Sequence, residues 1–252
     1  MPDFRAHCTL TEREPAQIRL TSDESHHLVA VNRANKGDTV VAFDGHGSEW
    51  ICELADDSKN AALLKVRFSQ KIKPLAYEIT LGQALPKGPC MDAIVRKATE
   101  IGAARIAPLE SERTQVHLDG ERQDKKIEKW QTAVLEAAKQ CGNAWLPEVL
   151  PVQNATAFIE GSRGYDLKLI ASLQPGAKSL KSVLSGYKAT AGRAPVKVLW
   201  LIGPEGDFTP AELSAAKSAG FESITLGPLV LRCETAAIYA LSVLSYELGN
   251  PS

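Results

Sequence analysis

Residues 196–248 read VKVLWLIGPEGDFTPAELSAAKSAGFESITLGPLVLRCETAAIYALSVLSYEL, and the fold class turns on how this stretch divides. Residues 196–202 form an apolar run too short for a helix, as expected of a strand buried on both faces. The run passes straight into Gly203-Pro204-Glu205-Gly206-Asp207-Phe208. Thr209 then stands as an N-cap, with Pro210 at the first helical position and Glu212 completing a T-x-x-E capping box. The glycines thus occupy a turn between a buried strand and a helix start. In α/β sheets, ligands collect outside the carboxyl ends of such strands.

A second unit repeats the plan. Residues 223–226 read as a short strand, Gly227-Pro228 turns the chain, and residues 229–233 lead into a helix from about Glu234. In that helix Ala236, Ala237, Ile238, Ala240, Leu241, Val243, Leu244 and Leu248 leave only a thin polar stripe, which predicts burial on more than one side. A monomer exposing such a surface carries a large apolar patch, so a homodimer is expected. Gly249 and Pro251 end the helix. Neither loop is a phosphate cradle: there is no G-x-x-x-x-G-K-[ST], and Gly203-x-x-Gly206 is not G-x-G-x-x-G. Each loop taken singly is an ordinary strand-to-helix turn. Their order and separation of about 20 residues make the pair specific.

GPEG-D-F-T-x-x-E followed by LG-x-x-x-LR-x-ETA resembles the cofactor-binding signature of the SPOUT class of RNA methyltransferases. Within that class it is most similar to the family that methylates N3 of a uridine in 16S ribosomal RNA (RsmE-like). The resemblance implies a C-terminal α/β domain with a trefoil knot, loops that bind S-adenosyl-L-methionine, and dimerisation through the knotted domain. It implies as substrate the decoding region of 16S rRNA or the assembled small ribosomal subunit. Within these two loops, two positions depart from the family pattern: Asp207 replaces the second glycine of G-P-E-G-G, and Leu229 stands where L-G-x-R-I-L-R has arginine.

Methyl transfer from a sulfonium chiefly requires cofactor and acceptor nitrogen to be held in line. Gly203, Gly206 and Gly227 let backbone approach adenine and ribose closely. Leu226, Val230 and Leu231 are expected to line an apolar adenine slot, and Pro204 and Pro228 stiffen the loops. Leu173, Ile202, Glu205, Thr235 and Ala236 complete the expected cofactor set. Uracil N3 also carries a weakly acidic proton that must leave. Arg232 is expected to stabilise negative charge developing on the uracil oxygens. Glu205 either accepts the proton or positions the methionine end of the cofactor, and positioning is the preferred role. Thr235 either hydrogen-bonds in the site or caps the helix.

The rest of the chain fits around these loops. Residues 1–72 read as a small β-rich domain, with a short helix near Ser22, strands at 39–43, 49–54 and 61–68, and a hairpin turn at Asp44-Gly45-His46-Gly47. Short strands with glycine turns suggest a compact barrel. HHLVAVNRANKGD followed by VAFDGHG resembles the PUA-like N-terminal domain of the same family, with Asn32-Arg33 where L-R is common. Four histidines fall here, but adjacent His26-His27 lack ligand spacing, and no metal site is expected. Lys71-Ile72-Lys73-Pro74 reads as a linker, after which strands and helices alternate through residues 73–252. ALPKG, KATEIG and PLESERT resemble successive family motifs near its RNA-binding face. Lys87, Arg96, Lys97 and Arg113, with Arg33, are therefore candidate RNA contacts; each also reads as an ordinary solvated charge. KWQTAVLEAAKQCGN resembles a segment usually ending Q-S-G-R, with Cys141 and Asn143 in place of serine and arginine. Residues 115–126 are expected to be a polar mobile segment, 127–139 a helix, 167–173 a strand, and 186–194 a surface loop.

Composition sets limits. The chain has 252 residues, 44% hydrophobic and 23% charged, enough for one large or two modest soluble domains. No apolar run reaches the ~18 residues of a membrane span. MPDFRAHCTLTERE has no apolar signal region, and the five scattered cysteines point to a reducing cytoplasm and away from zinc. The net charge is −1, with 9 Lys and Arg against 11 Asp and Glu in residues 1–72 and 20 against 19 beyond. An RNA partner must therefore meet a local basic patch. Two other readings stay open: a methyltransferase of the same class acting on another RNA site or on ribose 2'-oxygen, and a non-catalytic ribosome-assembly RNA-binding protein. Retention of Gly203, Glu205, Gly206, Gly227, Arg232 and Thr235 counts against the last.

Overall fold

The computed structural model describes residues 4–9, 15–116 and 118–249. The chain forms two compact units, Met1–Pro74 with Leu135–Leu146, and Leu75–Val134 with Pro147–Ser252. The division is not linear, since residues 135–146 group with the first unit.

In the first unit, β1 (Phe4–His7), β2 (Gln17–Arg19), β3 (Thr39–Phe43), β4 (Ser48–Asp56) and β5 (Leu63–Lys71) form one sheet in the order β1-β3-β4-β5-β2. A compact barrel is expected from the sequence; among the described residues the sheet keeps β1 and β2 as its edges. The period of two in β4 sends Trp50, Cys52 and Leu54 into the core with Val40, Ala42 and Leu64. Helix α1 (Ser22–Ser25) is capped by Thr21, whose side chain accepts from the Glu24 N–H, and continues into a π-helical turn, His26–Val31. The 44–47 turn forms as expected. Burial opposes ionisation of Asp44, but hydrogen bonds from Ser48 and the His46 N–H outweigh it and hold the carboxyl below its usual range. Residues 135–146 pack here through Leu146 N–H to Gly45 O (3.0 Å), Gly47 N–H to Ala144 O (2.9 Å) and a largely buried Lys139–Glu24 ion pair.

The second unit is built on seven parallel strands. β6 (Glu78–Ala84), β7 (Arg105–Glu110), β8 (Glu148–Val149), β10 (Leu167–Ala171), β11 (Lys197–Ile202) and β12 (Glu222–Ile224) run in the order β12-β10-β11-β6-β7-β8, and β9 (Gln153–Asn154) pairs with β7. Leu199 and Leu201 pack with Ala155 and Ile159 of α4 (Ala155–Gly161) and Ala216 of α6 (Pro210–Ser218). Alternation turns Val198, Trp200 and Ile202 to the other face. There α7 (Cys233–Gly249) packs on α2 (Cys90–Ile101) and touches β6 and β11. The small residues of α7 make this possible: Ala236, Ala237 and Ala240 are buried with Leu241, Leu244 and Leu248, while Thr235, Tyr239, Ser242 and Tyr246 stay exposed. Its apolar surface is therefore largely used inside its own unit. At the far end of the sheet, Asp166 grips Arg193 bidentately and accepts the Val196 and Lys197 N–H groups, tying the starts of β10 and β11. The Arg193 guanidinium and these N–H groups hold its carboxyl well below the usual range.

Two segments differ from expectation. α3 runs Gly120–Cys141, so residues 120–126, expected to be mobile, are helical; they are rich in strong helix formers, with an exposed Glu121–Lys125 pair at 3.7 Å. His117 in the same expected segment lies outside the described residues. Residues 186–194, expected as a loop, lie mostly in α5 (Leu180–Ala191). Ser179 caps its start and Gly192, at φ 69°, ends it. Gly186 within the helix weakens the local pattern without breaking it.

Candidate active site

The carboxyl ends of β6, β10, β11 and β12 open on one cavity of about 480 Å³. Its walls are Ala171, Ser172 and Leu173 after β10, residues 202–205 and Asp207 after β11, and Leu226 to Ala236 after β12, save Pro228 and Thr235. Lys87 and Cys90 close it from the approach to α2. This is the strand-end position expected of a ligand site in a parallel sheet.

The loop after β11 is built by local chemistry. Thr209 and Glu212 form the complete capping box, and the otherwise buried Glu212 also accepts the Glu112 N–H at 3.0 Å. Asp207 adopts φ 58°, a left-handed conformation that glycine favours and aspartate tolerates among L-residues. Its N–H donates to Pro204 O (2.9 Å), and its Oδ1 accepts the Phe208 N–H (2.8 Å). A Cβ on Gly203 would lie 3.1 Å from that Oδ1, so the glycine permits the loop to close on itself. Arg113 donates to Gly206 O at 2.6 Å, and the Lys87 N–H donates to Glu205 Oε1 at 2.9 Å.

The loop after β12 is held at its ends. Thr225 N–H donates to Lys178 O, Thr225 Oγ1 bonds Gly227, and Arg232 O accepts the Ala236 N–H at 2.8 Å to start α7. Gly227 has φ 119°, where a side chain is strained. Leu229 and Val230 are 73% and 77% exposed, and Leu173 opposite is 60% exposed.

Of the residues expected at the cofactor, Leu173, Ile202, Gly203, Pro204, Glu205, Leu226, Gly227, Val230, Leu231 and Ala236 line the cavity, and so does Arg232. Gly206 and Thr235 do not: Gly206 packs on Arg113, and Thr235 lies on the exposed face of α7. Among the candidate RNA contacts, Lys87 lines the cavity, Arg113 fastens the Gly206 loop, and Lys97 pairs with Glu100. Arg96 is an exposed residue of α2, and Arg33 is an exposed residue of the first unit at φ 61°. Cys90, Cys233 and Glu234 also line the cavity without having been singled out. Glu234 lies inside the L-R-x-E-T-A stretch and was findable; Cys90 carries no local signal.

Both thiols are pushed above their ordinary range. Burial pushes Cys233 up to about 12, with Glu205 and Glu234 adding to it. Burial also raises Cys90, reinforced by the negative charge of Glu234, against a smaller opposing pull from Arg232. Among the described residues no cluster of His, Cys, Asp or Glu could hold a metal, and no helix is long and apolar enough to cross a membrane. An apolar slot beside Glu205, Asp207 and Glu234 suits a flat heterocycle joined to a cationic tail, the chemistry of S-adenosylmethionine.

Comparison with known proteins shows the family. The family model for an RNA methyltransferase domain matches residues 73–245, and that for an RNA methyltransferase PUA domain matches residues 20–67. Ribosomal RNA small subunit methyltransferase E of Bacillus subtilis is 31% identical over 93% of this chain and 91% of its own; the Synechocystis protein of the same name is 33% identical over 93% and 75%. The Neisseria gonorrhoeae methyltransferase E bound to S-adenosyl methionine superposes with a TM-score of 0.84 at 27% identity, covering 96% of each chain.

Proposed function

The chain belongs to the ribosomal RNA small subunit methyltransferase E family, an S-adenosylmethionine-dependent rRNA methyltransferase, and we propose that it methylates N3 of a uridine in the decoding region of 16S rRNA. The observation that carries this reading is the convergence of both loops on one cavity with Arg232 in its wall.

Bound S-adenosylmethionine supplies an electrophilic methyl group. Backbone at Gly203 and Gly227 lets adenine and ribose approach, and Leu226, Val230 and Leu231 exclude water from the ring. Glu205 is tied to the Lys87 N–H, which supports its positioning role. Arg232 meets negative charge on the uracil oxygens as the proton departs, a stabilisation that grows toward the transition state.

Four finer features belong to the same proposal. A trefoil knot is supported by β11 lying between β10 and β6 in an all-parallel order, with α7 folding back onto α2. A homodimer is supported by the exposed apolar groups Leu229 and Val230 and by Tyr239 and Tyr246 on the open face of α7. RNA docking by the first unit, with Arg33, and by Lys87, Arg96, Lys97 and Arg113, is supported by their exposure. Work in the cytoplasm is supported by five free cysteines. The substrate is either 16S rRNA or the assembled small subunit.

The test is a map of methylated nucleosides in rRNA from cells with and without the gene. One 3-methyluridine should vanish from 16S rRNA on deletion; loss of a ribose methylation instead, or no change, refutes the reading. Sedimentation showing a stable monomer at micromolar concentration refutes the dimer.

A further inference from the structure

We infer that Glu234 is the catalytic residue that takes the N3 proton of the target uracil. The inference rests on the reading of the cavity as a uracil-N3 site and names the proton acceptor within it. Neutral uracil has no electron pair at N3 available for attack until that proton leaves, so a group within reach must accept it.

Three carboxylates line the cavity. Glu205 is engaged, with Oε1 accepting the Lys87 N–H at 2.9 Å. Asp207 is turned back on its own loop, with Oδ1 accepting the Phe208 N–H at 2.8 Å. Glu234 is held differently. It stands half-buried in the first turn of α7, a rigid element, in the cavity wall that it shares with Cys90. Arg232, two residues earlier, lines the same wall. One short segment therefore offers both a proton acceptor and a cation for the charge that forms. The charged and titratable groups that line the cavity with Glu234 are Lys87 and Cys90 from the approach to α2, Glu205 and Asp207 from the loop after β11, and Arg232 and Cys233 from its own segment.

In the step, the N3–H bond breaks and its proton passes to a Glu234 oxygen. The pair left on N3 forms the bond to the methyl carbon while the carbon–sulfur bond breaks and its pair stays on sulfur. The Glu234 carboxylic acid then loses the proton to water.

The test uses the full chain, small-subunit particles from cells lacking the gene, and Glu234→Gln and Glu234→Asp variants. Glu234→Gln should lower kcat by about 10²–10⁴, the usual contribution of a positioned base. KM for the particle and calorimetric affinity for S-adenosylmethionine should stay within about twofold, since the lost interaction is made mainly in the transition state. The variant's rate should rise roughly tenfold per pH unit through the neutral range, because only uracil already ionised reacts, while the parent's dependence is shallower. Glu234→Asp should regain part of the rate. A Glu234→Gln variant with the parent's rate and pH profile overturns the assignment. A fall in cofactor affinity as large as the fall in rate also overturns it and makes Glu234 a cofactor ligand. If the parent's product is not 3-methyluridine, the reading of the site itself fails, whatever Glu234 does.

Discussion

Residues 203–209 are fastened along their length, whereas residues 225–232 are fastened only at their ends. The first loop is bonded by Lys87, Arg113, its own Asp207 and the Thr209–Glu212 box. Between Gly227 and Arg232 the second leaves Leu229 and Val230 more than two-thirds exposed. Both are glycine turns after parallel strands, and both face one cavity, yet one is part of the fold and the other rests on it. The difference separates a wall braced along its length from a wall braced only at its ends. A stiff wall lowers the ordering cost of the cofactor, and a loose one can adapt to an RNA base or a second subunit.

The hardest way to break the contrast is through Glu212. It serves the Thr209 N–H and hydroxyl and the Glu112 N–H from a buried position. Glu212→Ala strands these donors and removes the reciprocal half of the capping box, and should cost ~2–4 kcal/mol in denaturant unfolding. A smaller loss would mean that the first loop is no better fastened than the second.

Gly227→Val probes the loose loop. At φ 119° a branched residue is strained by ~1–3 kcal/mol. Because this loop carries little of the fold, the strain should surface as at least roughly tenfold weaker S-adenosylmethionine binding by calorimetry, with the melting temperature little changed. An equal loss of stability would place the second loop within the core fold.

Asp207→Gly sharpens the picture of the first loop. Glycine relieves the left-handed backbone but loses the bond to the Phe208 N–H, so the two effects should offset to within ~1 kcal/mol. Unfolding of the variant beside the parent measures the balance.

The smallest effect belongs to Leu229→Ser with Val230→Ser. Exposed as these side chains are, their loss should change unfolding free energy by less than ~0.5 kcal/mol. The same pair should weaken cofactor affinity or self-association, read by calorimetry and sedimentation. No change in either would leave this loop without a role.

Much of this was legible in the sequence because it is decided within a few residues. The Thr209 box, the buried run ending at Ile202, the 44–47 turn and the start of α7 depend on caps, periodicity and backbone preference, which act locally. Polarity and one glycine were weighed too heavily at 120–126 and 186–191, where strong helix formers and the Ser179 and Gly192 caps carry the helix through. Tertiary structure alone decided which distant groups share the cavity. Lys87 meets Glu205 across 118 positions and Arg113 meets Gly206 across 93, and neither pairing has a sequence signature. Strand order, set by which apolar faces bury best against one another, brings the ends of β6 and β11 side by side and with them Lys87, Cys90 and Glu205. Local sequence specifies each loop; the packed sheet decides what the loops face.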